Sequence, residues 1–224
     1  TLFVWFALTS PSPVAADTSW TQWGGPRRNF TVDTSGLASS WPWAGPRKLW
    51  SRALGEGHSS IAVDGNRLYT MYRYAGWTSM IRRSQQEIVT AIDASSGKTL
   101  WEYAFDSATT GMDLGYGAGP HSTPLISGDR LFVTGSRSQL IAIDASTGKP
   151  LWSHDLLKEF GAPLDDRGYS ASPLLYKDTV IVPAGGAGSS VVAFNRQTGA
   201  LAGEGGSFEV GPAWATLVTV DGKG

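Results

Sequence analysis

Two histidines stand at matching places of an internal repeat: His58 and His121 fall in one column, which Ser170 and Trp214 continue. An imidazole near neutral pH accepts or donates a proton, joins hydrogen bonds and ligates metals. Two imidazoles supply two ligands, whereas a metal centre usually adds a third His or a carboxylate. The pattern equally describes polar residues hydrogen-bonded in a channel wall, and no metal site is assigned. The remaining histidine, His154, falls on an outer strand of its unit.

Other residues offer further chemistry. Tyr116 and Trp214 present rings on which a flat ligand stacks, or which pack internally. Asp165 and Asp166 form a close acid pair of the kind that splits pKa values for acid–base work. Adjacent side chains tend to diverge, however, and Arg167 neutralises one of them, so this reads as a solvated turn. Glu56 and Asp113 are lone acids near strand starts. The glycine-rich runs at 115–119 and 185–188 precede no helix and read as loops, not phosphate cradles.

The elements that hold these groups come from a repeat. Ala91-Ile92-Asp93-Ala94-Ser95-Ser96-Gly97-Lys98-Thr99-Leu100-Trp101 recurs as Ala142 to Trp152 and, in shortened form, as Ala193 to Gly199. Asp93, Asp144 and Asn195 are spaced by 51 residues, as are Trp50, Trp101 and Trp152. A fixed period of this size marks stacked supersecondary units. In the middle copy, Ser122 to Ile126, Arg130 to Thr134, Gln139 to Ile143 and Pro150 to Ser153 read as four strands, A to D, separated by turn residues. The turn Asp or Asn accepts a backbone N–H, and the turn Gly takes positive φ. The small Ala two places before the Asp leaves room for a neighbouring indole.

Composition agrees. With 28 Gly and 10 Trp in 224 residues, the chain suits an all-β repeat architecture. Eighteen Lys and Arg against 19 Asp and Glu give a net charge of −1 without a basic stripe, so nucleic-acid binding has no electrostatic footprint. The absence of cysteine excludes disulfides, thiolate metal sites and a lipid-modified Cys within this sequence. Leu2 to Leu8, followed by Val14-Ala15-Ala16, resembles the apolar core and small-residue cleavage site of a secretory signal, too short to span a bilayer. The expected organisation is a front-truncated signal peptide at 1–16, an N-terminal lead-in at 17–46 and a partial propeller at 47–224. The expected location is periplasmic or secreted, without a lipid anchor.

The motif Ala-x-Asp-x-x-(Ser/Thr)-Gly-x-x-Leu-Trp at this spacing resembles the pyrroloquinoline-quinone-like (PQQ-like) β-propeller repeat. Trp20-Thr21-Gln22-Trp23-Gly24-Gly25-Pro26-Arg27-Arg28-Asn29 resembles the opening of exported bacterial members. Kelch and WD-type propellers share the period but not this motif. The resemblance implies four-stranded antiparallel blades, with three to four of a ring of seven or eight present here. The chain is therefore expected to be a fragment at both ends, and the full-length protein a monomer. Leu49-Trp50 is expected to act as strand D of the ring's last blade.

Strand parity points to one functional face. The A–B turns Asp64-Gly65-Asn66, Ser127-Gly128-Asp129 and Tyr176-Lys177-Asp178 are tight, whereas the B–C loop at 75–86 and the D–A connections at 106–120 and 155–167 are long. Long loops gathered on one face of a rigid scaffold are where binding usually resides. Strand A starts on this face, which puts His58, His121, Ser170, Trp214 and Tyr116 near the channel mouth as cofactor- or ligand-binding candidates. The family implies two roles, and the aromatic residues near the channel mouth separately fit a third, the binding of a carbohydrate or other small ligand. One is a non-catalytic module that binds a protein partner, as the outer-membrane assembly relatives imply. The other is a PQQ-dependent dehydrogenase, using Ca²⁺, that oxidises alcohols or sugars. No family calcium ligand or catalytic base maps onto a residue here, and the vicinal disulfide common in that class is absent.

Overall fold

The computed structural model describes residues 19–33, 38–74, 85–115, 117–161 and 166–207. The signal-like stretch, Tyr116, Asp165, Trp214 and most of the long B–C loop lie outside the described residues.

Three four-stranded antiparallel sheets follow one another along the chain. Blade 1 comprises β1 (Ala62–Asp64), β2 (Arg67–Tyr72), β3 (Gln86–Asp93) and β4 (Thr99–Asp106). Blade 2 comprises β5 (Leu125–Ser127), β6 (Arg130–Thr134), β7 (Gln139–Asp144) and β8 (Pro150–Asp155). Blade 3 comprises β9 (Leu174–Tyr176), β10 (Thr179–Gly186), β11 (Ser189–Asn195) and β12 (Leu201–Gly205). Within each blade, neighbours in sequence are neighbours in the sheet.

Local chemistry sets each hairpin. Gly65, Gly128 and Lys177 occupy the left-handed region at the A–B turns, with φ of 54°, 62° and 52°, the conformation that joins strands by a two-residue loop. At the C–D turns, Asp93, Asp144 and Asn195 accept N–H bonds from Ser96, Thr147 and Thr198 at 2.8, 2.8 and 3.0 Å. Asp93 and Asp144 are held at a pKa of about 2, first by Ser95 and Ser146 respectively, whose hydroxyls donate to the carboxylates. Strand A of the middle copy is shorter than the sequence reading, three residues in place of five. Pro124 stands directly before it and has no N–H to extend the ladder.

The sheets stack face to face. One apolar layer joins Tyr69, Met71, Val89 and Phe105 of blade 1 to Leu131, Val133, Ile141 and Ile143 of blade 2. A second joins Phe132, Leu140 and Ala142 of blade 2 to Val180, Val182, Val192 and Phe194 of blade 3. Each seam carries an indole brace at its outer edge. Trp101 Nε1 donates to Ala145 O at 3.0 Å, and Trp152 Nε1 to Arg196 O at 3.3 Å. The same contact joins Trp50 to Ala94 O at 2.8 Å. The indoles lie on the turn glycines: a Cβ on Gly97, Gly148 or Gly199 would come within 2.7, 2.6 or 2.8 Å of the ring. The turn glycine supplies the close approach of the adjacent indole, while Ala91 and Ala142 lie opposite the indoles of their own blades, Trp101 and Trp152. Trp50 takes its place in the brace from a segment that forms no strand.

The connection after β8 contains a helix, α1 (Leu156–Phe160), where the sequence suggested only a long loop. Asp155 caps it by accepting from the Lys158 N–H, Glu159 reaches back to the Asp155 N–H at 2.9 Å, and Gly161 ends it at φ 71°. The reciprocal bond comes from the fourth helical residue, one place beyond that of a capping box, and a left-handed stop follows.

Candidate functional site

His58 and His121 come together. Their rings are 5.3 Å apart between centroids and 9° from parallel. Each sits five residues before an equivalent strand A residue, Val63 or Ile126, and Ser170 holds that place before Leu175 in blade 3. The His58 N–H donates to Pro120 O at 2.8 Å, so the backbone as well as the rings joins the two blades. A Cβ on Gly117 would lie 2.9 Å from His58 Nε2. The glycine-rich run therefore lets the blade 1–2 connection pass close to the ring.

Stacked imidazoles hold their in-plane lone pairs in two nearly parallel planes, an arrangement unlike the convergent ligands of a metal centre. Among the described residues, no group of three His, Cys, Asp or Glu is placed to hold a metal. Burial, then His58, then Arg73 lower the pKa of His121.

Beside the pair lies a buried ionic network that sequence reasoning missed. Arg73 and Glu87 are 1% and 0% exposed and meet at 2.8 Å. Arg73 also donates to Ala118 O at 3.0 Å and to Ser107 Oγ at 3.0 Å. Glu87 accepts the Ser136 N–H at 3.2 and 3.1 Å through its two oxygens. Burial pushes the Glu87 carboxyl up and the Arg73 guanidinium down, and their mutual attraction opposes both shifts. Such a pair survives burial because each charge is matched and its remaining bonds are filled. The legible signal was Arg73 and Glu87 at facing ends of two paired apolar runs.

The loop ends of neighbouring blades are tied as well. Asp113 N–H donates to Asp166 O at 2.6 Å, and Tyr169 N–H to Ser136 O at 2.9 Å. His154 lies apart on β8, 4.0 Å from the Phe194 ring and bonded to Glu159 and Gly199 O.

Three consecutive four-stranded blades, braced by recurring indole-on-glycine contacts and lined by strand A, define a β-propeller of PQQ-like repeats. The family profile described as outer membrane protein assembly factor BamB matches residues 84–216, more than half of the chain, and the chain belongs to this family. A curated relative, the quinohemoprotein alcohol dehydrogenase ADH IIB of Pseudomonas putida, is 32% identical over 118 residues, covering 51% of this chain and 16% of the relative. The chain thus spans about one sixth of that protein. Among solved structures, the quinohemoprotein alcohol dehydrogenase of Comamonas testosteroni aligns over 66% of this chain and 20% of its own, at 20% identity and a TM-score of 0.45. BamB from Moraxella catarrhalis aligns over 70% of this chain and 54% of its own, at 16% identity and a TM-score of 0.41.

Proposed function

We propose that this chain is part of an exported propeller with no chemistry of its own, which binds a protein or a small ligand at the face carrying the B–C and D–A loops. The observation that carries the reading is the stacked His58–His121 pair, set at equivalent places of two blades on that face. The pair, with His58 exposed and His121 half-buried, offers a ligand hydrogen-bonding nitrogens on a wall braced by the Arg73–Glu87 network. Membership of a family described as an assembly factor favours a protein partner. Tyr116, Ser170 and Trp214 are proposed to extend the same mouth. The signal-like N-terminus supports export; among the described residues, no helix is long and apolar enough to cross a membrane.

The dehydrogenase relative supports a second reading, a PQQ- and calcium-dependent oxidoreductase. Calcium takes six to eight oxygen ligands. The wall described here offers two imidazoles, the Ser170 hydroxyl and one buried carboxylate, Glu87, whose oxygens already serve Arg73 and Ser136. The described residues do not by themselves fit a calcium–quinone centre. Titration of the full-length protein with PQQ and Ca²⁺, followed by tryptophan fluorescence and melting temperature, separates the readings. The binding reading expects neither quench nor stabilisation. A saturable quench with a melting temperature that rises with ligand would replace it with the dehydrogenase reading.

A further inference from the structure

The segment before the first blade reaches one equivalent position in three blades. Val63, Ile126 and Leu175 are equivalent residues, each standing directly before the first residue of its A–B turn. Trp20 exchanges both backbone hydrogen bonds with Val63, at 2.8 and 2.9 Å. Ile126 N–H donates to Thr21 O at 2.7 Å. Arg28 Nη2 donates to Leu175 O at 2.5 Å. A single short stretch therefore reaches the same position of the innermost strand in three successive blades.

The stretch is folded for this purpose. Gly25 N–H donates to Gln22 O at 3.0 Å, Arg28 N–H to Gly25 O at 3.1 Å, and Phe30 N–H to Gly24 O at 2.9 Å. Gln22 Oε1 accepts from Arg28 Nε at 3.1 Å, which aims the guanidinium at blade 3. Gly24 and Gly25 have φ of 79° and 76°, and a Cβ on Gly25 would come within 2.7 Å of the Trp20 ring. The Trp-Gly-Gly sequence is thus the condition for the indole of Trp20 to lie back on its own loop. Inner strand edges otherwise present unpaired N–H and C=O groups, which are open to any other strand.

We infer that residues 19–30 form a built-in strap. It ties blades 1, 2 and 3 together at the A–B-turn end of their inner strands and covers that sector of the channel, leaving the His58–His121 end as its open approach. The inference does not depend on the binding reading, because a propeller that binds nothing at its mouth would still carry the strap.

Hydrogen exchange by mass spectrometry on the full-length protein tests it, comparing the natural chain with Trp20→Ala and Arg28→Ala. In the natural chain, amides of the peptides containing Val63 and Ile126 exchange slowly. Trp20→Ala speeds both by about tenfold or more, while the turn amides of Gly97 and Gly148 keep their rates. Arg28→Ala releases the blade 3 end of the strap and speeds Ile126 by a smaller factor. If Trp20→Ala does not fold, the Ile126 rate in Arg28→Ala decides alone. Fast exchange of Val63 and Ile126 in the natural chain, or rates that neither substitution changes, would overturn the inference.

Discussion

The two seams between blades are built alike at the rim and differently inside. At both rims, an indole lies on the next blade's turn glycine and donates to a turn carbonyl. Inside, the blade 1–2 seam holds the Arg73–Glu87 pair and the histidine stack. The equivalents of Arg73 are Ser136 and Gly185, and those of Glu87 are Ser138 and Ser189. At that depth the blade 2–3 seam is closed by neutral contacts: Tyr169 Oη donates to Pro183 O at 2.9 Å, Thr134 Oγ1 donates to Ala171 O at 2.6 Å, and Phe160 of α1 packs on Phe194; arginines cross it at the turn end, where Arg196 Nη1 donates to Ser127 Oγ and Arg130 Nε to Gln197 Oε1, both at 2.8 Å. The repeat thus fixes how blades stack, while residues outside the motif make one seam polar near the channel mouth. The outer edge of blade 3 departs further, because Gly203 pairs with Ala193 where Trp101 and Trp152 pair with Ala91 and Ala142.

Breaking the polar seam has the largest expected effect. Arg73→Met strands Glu87 without its counter-charge and costs about 3–5 kcal/mol. Tyr169→Phe in the neutral seam costs about 1–2 kcal/mol, since only one buried hydrogen bond is lost. Denaturant unfolding of the full-length protein measures both, and equal losses would remove the distinction between the seams. Next comes the shared brace. Trp101→Ala and Trp152→Ala each cost about 3 kcal/mol, the lower end for a large aromatic because both indoles stay partly exposed. A loss at one seam only would show that the rims are not equivalent.

Acid sharpens the comparison further. The folded-state pKa of His121 is lowered, so the unfolded chain binds its proton more readily. The stability this contributes is full above the ordinary histidine value of about 6.5 and declines as pH falls through that value toward the folded one. His121→Asn flattens this part of a stability–pH curve recorded between pH 7 and 5. Asp93 and Asp144, with folded pKa values of about 2 against the ordinary 3.8, give the smallest effect. Their stabilisation is present above the ordinary value and is lost as pH falls toward 2. Asp144→Ala should shift the acid transition slightly upward in a circular-dichroism titration.

The blades were legible because the motif carries its own mechanics. Asp93 and Gly97 announce a turn, Leu100-Trp101 an outer strand, and the 51-residue period joins them across the seams. The histidine column was legible for the same reason, since equal offsets from equal turns place side chains in register. The Arg73–Glu87 pair was less so: neither residue recurs, and a charged residue at a strand end ordinarily points to water. The helix after β8 was present in sequence as Asp155, Glu159 and Gly161, but its five residues are too few to show a helical period. The strap was hidden because its partners, Val63, Ile126 and Leu175, contribute backbone atoms, which any residue supplies.

Whether the two histidines form one unit beside the Arg73–Glu87 pair can be read by NMR titration of the His121 ring protons in the full-length protein, with and without the substitution His58→Asn. His121 should titrate below the ordinary histidine value, and His58→Asn should raise it, because the neighbouring ring lowers it second only to burial. A His121 ring that titrates at the ordinary value and does not move in His58→Asn would refute the pairing.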